Sequence, residues 1–158
     1  MDIQTYLAPE GVLLDINISS KKQLFQAMAD AMANLPKFKS LGVSPRTIVN
    51  AVMERERLGS TGVGSGVALP HARLQDIEEV HAVFARVTTA VDYEAVDERP
   101  VDLVAMLVAP EKAGSAHLRA LAQFSRRLRR DEMRERLRSA PDAHSVYISL
   151  TQPLQAAA

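Results

Sequence analysis

Val101-Asp-Leu-Val-Ala-Met-Leu-Val108 is apolar at every position but one. A half-buried strand alternates apolar with polar side chains. A run that does not alternate needs cover on both faces, which is the pattern of a central strand between two helical layers. Val80-His-Ala-Val-Phe-Ala-Arg-Val87 reads as a second strand, separated from the first by the polar turn region Asp92–Arg99. Val12–Ile16 and Val67–Leu69 are shorter β-prone runs. Helical signals fill the rest. Ser19 or Ser20 caps a helix with Leu24, Ala27, Met28, Ala31, Met32 and Leu35 on one face, and Pro36 helps to stop it. Ser44-Pro45 opens a helix with Ile48, Val49, Val52 and Met53 as its stripe, ending near Gly59. Ser115 is expected to cap a third, with Leu118, Leu121, Ala122 and Leu128 inward. A fourth runs around Asp131–Arg138, and Pro141-Asp142 opens a last one through Leu150. Strands interleaved with helices predict an α/β single-domain sandwich with a central mixed β-sheet, residues 1–151, followed by a frayed tail over 152–158.

Composition narrows the chemistry. A chain of 158 residues with 47% hydrophobic content suffices for one core, burying roughly 68–70% of the unfolded surface. With an aromatic share of 4% and no tryptophan, stacking platforms for nucleic-acid bases are lacking. Cysteine is absent, which excludes disulfides, thiolate catalysis and thiolate-bound zinc. Nineteen basic against nineteen acidic side chains leave no net field to draw nucleic acid or anionic lipid. The amino terminus has neither a basic nor an apolar leader region, and no apolar run reaches the ~18 residues of a spanning helix. The expectation is a cytoplasmic protein with no membrane insertion and no cofactor.

Reading back from the central strand, the chemistry concentrates in Gly59-Ser-Thr-Gly-Val-Gly-Ser-Gly-Val-Ala-Leu-Pro-His-Ala-Arg-Leu74. Its glycines permit positive φ and close approach of a ligand, while Ser60, Thr61 and Ser65 supply hydroxyls suited to phosphate oxygens; Gly62 and Gly64 belong to the same candidate phosphate loop. Pro70 fixes the φ angle just before His71. The spacing matches neither common nucleotide-cradling loop. A phosphoryl group carried on His71 is the natural reading, because a neutral imidazole is nucleophilic at one nitrogen while the other fixes the tautomer.

That segment resembles the phosphorylation-site signature of enzyme IIA domains of the mannitol/fructose type, from the bacterial phosphoenolpyruvate-dependent phosphotransferase system. Pro100–Val108 looks like the family's strand before its second histidine, and His117-Leu-Arg-Ala-Leu-Ala122 like its His-Leu-x-x-Leu helix. The chain departs from the signature at Ser65, where relatives often carry asparagine, and at Ala72, where glycine is frequent. As a single domain with no fused permease or carrier domain, it looks most like the nitrogen-regulatory branch.

The resemblance implies that His71 accepts phosphate from a phosphocarrier protein of the HPr or NPr kind. His117 is then the active-site partner that orients His71 and stabilises the phosphoryl oxygens, and Arg55 matches the family's arginine, contacting phosphate or a partner protein. Arg57 is a weaker neighbour. Regulatory relatives are thought to control targets such as potassium transporters and sensor kinases; the alternative is a sugar-specific component that passes phosphate to a permease-linked domain. His81 and His144 have no motif around them and read as structural, and no zinc-ligand spacing occurs. The basic stripe Arg126-Arg-Leu-Arg-Arg130 with Arg134, Arg136 and Arg138, interleaved with Asp131, Glu132 and Glu135, reads as a solvated, ion-paired helix face.

Overall fold

A computed structural model describes residues 2–153 of the chain. After a 3-10 turn at Ile3–Thr5 come β1 (Leu7–Ile16), α1 (Lys21–Ala33), α2 (Pro36–Lys39) and α3 (Pro45–Arg57). The short strands β2 (Gly62–Gly64), β3 (Val67–Ala68) and β4 (His71–Leu74) precede the long β5 (His81–Val91) and β6 (Val101–Pro110). Then α4 (Ser115–Leu128), α5 (Asp131–Ser139) and α6 (Ala143–Thr151) close the chain. Gln152 still donates its backbone N–H to Ile148, at 3.0 Å; of the expected tail, residues 154–158 lie outside the described residues.

The sheet is mixed, as the sequence predicts, with order β1-β5-β6-β3-β2. β4 continues along β6 beyond β3, so two short strands share one long neighbour, both parallel to it. β6 is sealed on both faces. Val104, Met106 and Val108 pack towards α1–α3 with Phe25, Met28, Ile48 and Val52. The alternate residues Leu103, Ala105 and Leu107 pack towards α4–α6 with Phe124, Leu137 and Leu150. The period of two in a strand therefore divides one continuous apolar run between two cores. β5 repeats this with Val83 and Ala85 on one side, Ala82 and Phe84 on the other.

Several boundaries differ from expectation for local reasons. β1 begins at Leu7 and includes Pro9 and Gly11, because it is an edge strand whose register against β5 shifts between Leu7 and Val12. In α1 the buried stripe runs through Phe25 and Ala29, and Ala27 and Ala31 are half-buried. Pro36 does not stop α1 directly; it opens α2 at its first position. The Asp92–Arg99 turn is polar only in part, since Tyr93 and Ala95 are buried. Ser115 is not a cap: Gly114, at φ +59°, holds that position and Ser115 is the first helical residue. The buried face of α4 is Ala120, Phe124 and Leu128 together with His117 and Arg127, which leaves Leu118 and Ala122 exposed. This phase shift decides where the site forms.

Candidate functional site

Two turns build the site. Between β3 and β4 the chain pivots at Leu69-Pro70, with Leu69 donating to Thr61 and Pro70 accepting from Leu107, each at 3.0 Å. The imidazole of His71, first residue of β4, folds back over the proline so that Nδ1 lies 2.8 Å from the Leu69 carbonyl oxygen. A carbonyl only accepts, so Nδ1 carries the proton and Nε2 holds a free lone pair. Across from it stands His117 in the first turn of α4, with ring centroids 5.2 Å apart and an interplanar angle of 73°. His117 is 4% exposed, and its Nε2 has no hydrogen-bond partner among the described residues.

Both imidazoles are held neutral. Burial lowers the His71 pKa, opposed by the Leu69 carbonyl and reinforced by Arg55. Burial, then the neighbouring His71 and Arg73, push His117 down to about 4. Each is therefore a neutral ring at pH 7. Beside them opens a cavity of about 700 Å³ lined by Glu54, Arg55, Arg57, His71, Arg73 and His117 among others. Three guanidinium groups face one carboxylate there, a lining suited to a multiply charged anion. Arg55 is braced by its Nη1 donating to the Gly59 carbonyl at 2.9 Å. His71 also lines an adjoining space of about 380 Å³ with Ser60, Thr61, Leu69 and Ser125.

The loop residues expected to cradle phosphate are committed elsewhere. The Thr61 amide and hydroxyl donate to the two carboxylate oxygens of Glu56 at 3.0 and 2.6 Å, and the hydroxyl sits 2.8 Å from the Tyr93 hydroxyl. Ser60 donates to the Tyr93 carbonyl and accepts from the Gly62 amide. Gly62 is demanded by packing, since a Cβ there would lie 2.7 Å from the Ala95 Cβ. Gly64 and Ser65 line a separate space that His71 does not reach. Ser65 donates its amide to Asp97 and accepts from Arg138 at its carbonyl. Its φ of +57° is the left-handed conformation that asparagine adopts more readily than serine. Ala72 points into the core opposite Val108.

Reasoning from sequence overlooked Arg73 and Glu56. Arg73 is two residues from His71 on β4, hence on the same strand face. Glu56 continues the apolar stripe Ile48, Val49, Val52, and a carboxylate on a buried stripe marks a network; here it also pairs with Lys21 at 3.0 Å. His81 is buried edge-on against Phe38, at 5.0 Å, while His144 is exposed; neither lines the cavities at His71. No helix of the described residues is long and apolar enough to cross a membrane.

A mixed-sheet α/β sandwich that presents an oriented neutral imidazole beside guanidinium groups defines a class of domain fitted to handle phosphoryl groups. Residues 5–152 match the model of the family described as phosphoenolpyruvate-dependent sugar phosphotransferase system, EIIA 2, and the chain belongs to that family. It is 40% identical over 158 residues to a nitrogen regulatory protein of Bradyrhizobium diazoefficiens, covering 100% of both chains. To a nitrogen regulatory protein of Pseudomonas aeruginosa it is 37% identical, covering 92% of each. The fold superposes on the crystal structure of nitrogen regulatory protein IIA-Ntr from Neisseria meningitidis with a TM-score of 0.87 and 31% identity, over 94% of this chain and 99% of that one.

Proposed function

We propose that this chain is a cytosolic phosphoryl-relay and regulatory component of a phosphoenolpyruvate-dependent phosphotransferase system, with Nε2 of His71 as the acceptor. One observation carries the reading: Nδ1 is fixed as a donor to Leu69, leaving an unprotonated Nε2 beside a buried imidazole whose own Nε2 lacks a partner. In the transfer, the Nε2 lone pair forms the new P–N bond as the P–N bond of a phosphohistidine on the carrier protein breaks. The electron pair returns to the carrier's ring. No proton has to leave the nucleophile. The work left to the protein is positioning and charge stabilisation. Arg55 and Arg73 neutralise the phosphoryl oxygens, and His117 donates to one of them as it orients the group.

Output is binding of partner proteins gated by the charge on His71. A phosphoryl group adds roughly −1.5 to −2 charges, by analogy with hydroxyl phosphates. The exposed Leu58 and Leu118 flank the cavity, so a partner seated on them would lose contact when that charge arrives. Regulatory targets of the potassium-transporter or sensor-kinase kind fit this reading, while membership of a sugar phosphotransferase family supports a second one, onward transfer to a permease-linked domain. Incubation with phosphoenolpyruvate and the two upstream phosphotransferase proteins tests the relay: one phosphate on the wild-type chain and none on His71→Ala is expected. Rapid onward transfer to a sugar-permease domain would favour the second reading.

A further inference from the structure

The basic stripe of α4 and α5 is not a uniform solvated face. Arg134 donates to the Leu128 and Arg129 carbonyls and to Asp131, and Arg138 pairs with Asp102 at 2.8 Å and reaches the Ser65 carbonyl. Arg127 differs. It lies on the buried side of α4, 8% exposed, and among the described residues it makes no ion pair and its Nη1 has no hydrogen-bond partner. A buried guanidinium left unpaired is costly, and a buried unsatisfied donor in a folded protein requires an explanation. Burial lowers the Arg127 pKa, with the Asp2 carboxylate acting against this and Arg130 adding to it.

The Arg127 side chain also lines a small cavity of about 90 Å³, together with Arg130, Arg136, Glu132, Met133 and Ser149 among others. None of its lining residues belongs to either cavity at His71. Arg130, Arg136 and Glu132 are exposed at the rim, so three guanidinium groups outweigh one solvated carboxylate. A space of this size has room for a single tetrahedral ion. We propose that this cavity binds one small oxyanion of the phosphate type, held from within by Arg127, from the rim by Arg130 and Arg136, and by the Ser149 hydroxyl as a neutral donor. Planar, multidentate guanidinium donors are the groups suited to such an ion.

The test is a titration of the full isotopically labelled chain with inorganic phosphate at constant ionic strength, followed by amide chemical shifts. Saturating one-site shifts are expected within 127–136 and 149–152, and these should persist in His71→Ala, which separates them from any phosphate bound at the other site. Arg127→Met should weaken the isotherm by ~10-fold or more, the loss expected for a charge-assisted hydrogen bond. Arg130→Gln, at an exposed position, should weaken it in the same direction and carries the test if Arg127→Met does not fold. Shifts confined to the surroundings of His71, no saturable shift, or isotherms unchanged in Arg130→Gln would overturn the proposal.

Discussion

His117, stacked edge-on against His71, and Thr61, which lines a space with it, are buried almost equally, 4% and 5% exposed, yet their polar atoms are treated in opposite ways. Thr61 has its amide and hydroxyl satisfied by Glu56, with Tyr93 completing the set. His117 keeps Nε2 without a partner among the described residues. Buried polar groups are ordinarily paired, because leaving one unpaired costs about 1–3 kcal/mol. A satisfied group at such depth is scaffold. An orphaned one, on a residue that lines a cationic cavity, is stored capacity to bind something that arrives later, and on our reading that is the phosphoryl group on His71.

The largest effect that could break this contrast is loss of the nucleophile. His71→Ala is expected to abolish labelling in the reconstituted relay, with the wild-type adduct acid-labile and base-stable by mass spectrometry. Full labelling of the variant, or phosphate mapped to His81 or His144, would dismantle the site. Next comes His117→Ala, expected to slow transfer by on the order of 10²–10³, the cost of one lost oxyanion donor in other enzymes. Its stability should move by no more than about 1–2 kcal/mol, since lost packing is offset by removing an unsatisfied group. Stopped-flow transfer rates paired with urea unfolding separate the two; unchanged rates would make His117 merely a core histidine.

Thr61→Val should invert that profile. The hydroxyl is lost with little change in shape, Glu56 and Tyr93 each lose a partner, and stability should fall by about 1–3 kcal/mol. Transfer by the folded protein should change little. A rate loss comparable to that of His117→Ala, without the stability loss, would restore Thr61 to the phosphate loop that the sequence suggested.

The contrast also marks what was legible in the sequence. Val101–Val108 announced a strand covered on both faces, and the two layers followed from it. Ser20 and Ser44 were readable as caps because a cap bonds within its own first turn, to Gln23 and Thr47. Ser60-Thr-Gly could not be read the same way. Its partners Glu56 and Tyr93 come from α3 and from a turn 32 residues away, so a scaffold looks locally like a ligand loop. The phase of α4 was missed because Leu118 and Ala122 compete with Ala120 and Phe124 for the apolar stripe. Only docking against the sheet decides it, and the helix turns His117 inward and Leu118 out.

The smallest predicted effect tests whether the buried imidazoles are neutral in the fold. His117 has a folded pKa of about 4 against an ordinary 6.5, and His71 and His81 are shifted the same way by burial. As pH falls through 6.5 the unfolded chain binds the proton first, so the His117 contribution must drop between pH 6.5 and 4 and level off below. The depressed carboxylates Asp97 and Asp142, held by backbone N–H groups, lose their contribution only as pH falls below the ordinary carboxylate value of 3.8, which keeps the histidine window separate. Between pH 7 and pH 5, His117 alone should account for about 1–2 kcal/mol of lost stability. Urea titrations of wild type and His117→Gln at both pH values give the difference directly. An equal pH dependence in the two proteins would mean that His117 is already solvated or paired in the folded chain, and the orphaned nitrogen that distinguishes it from Thr61 would be gone.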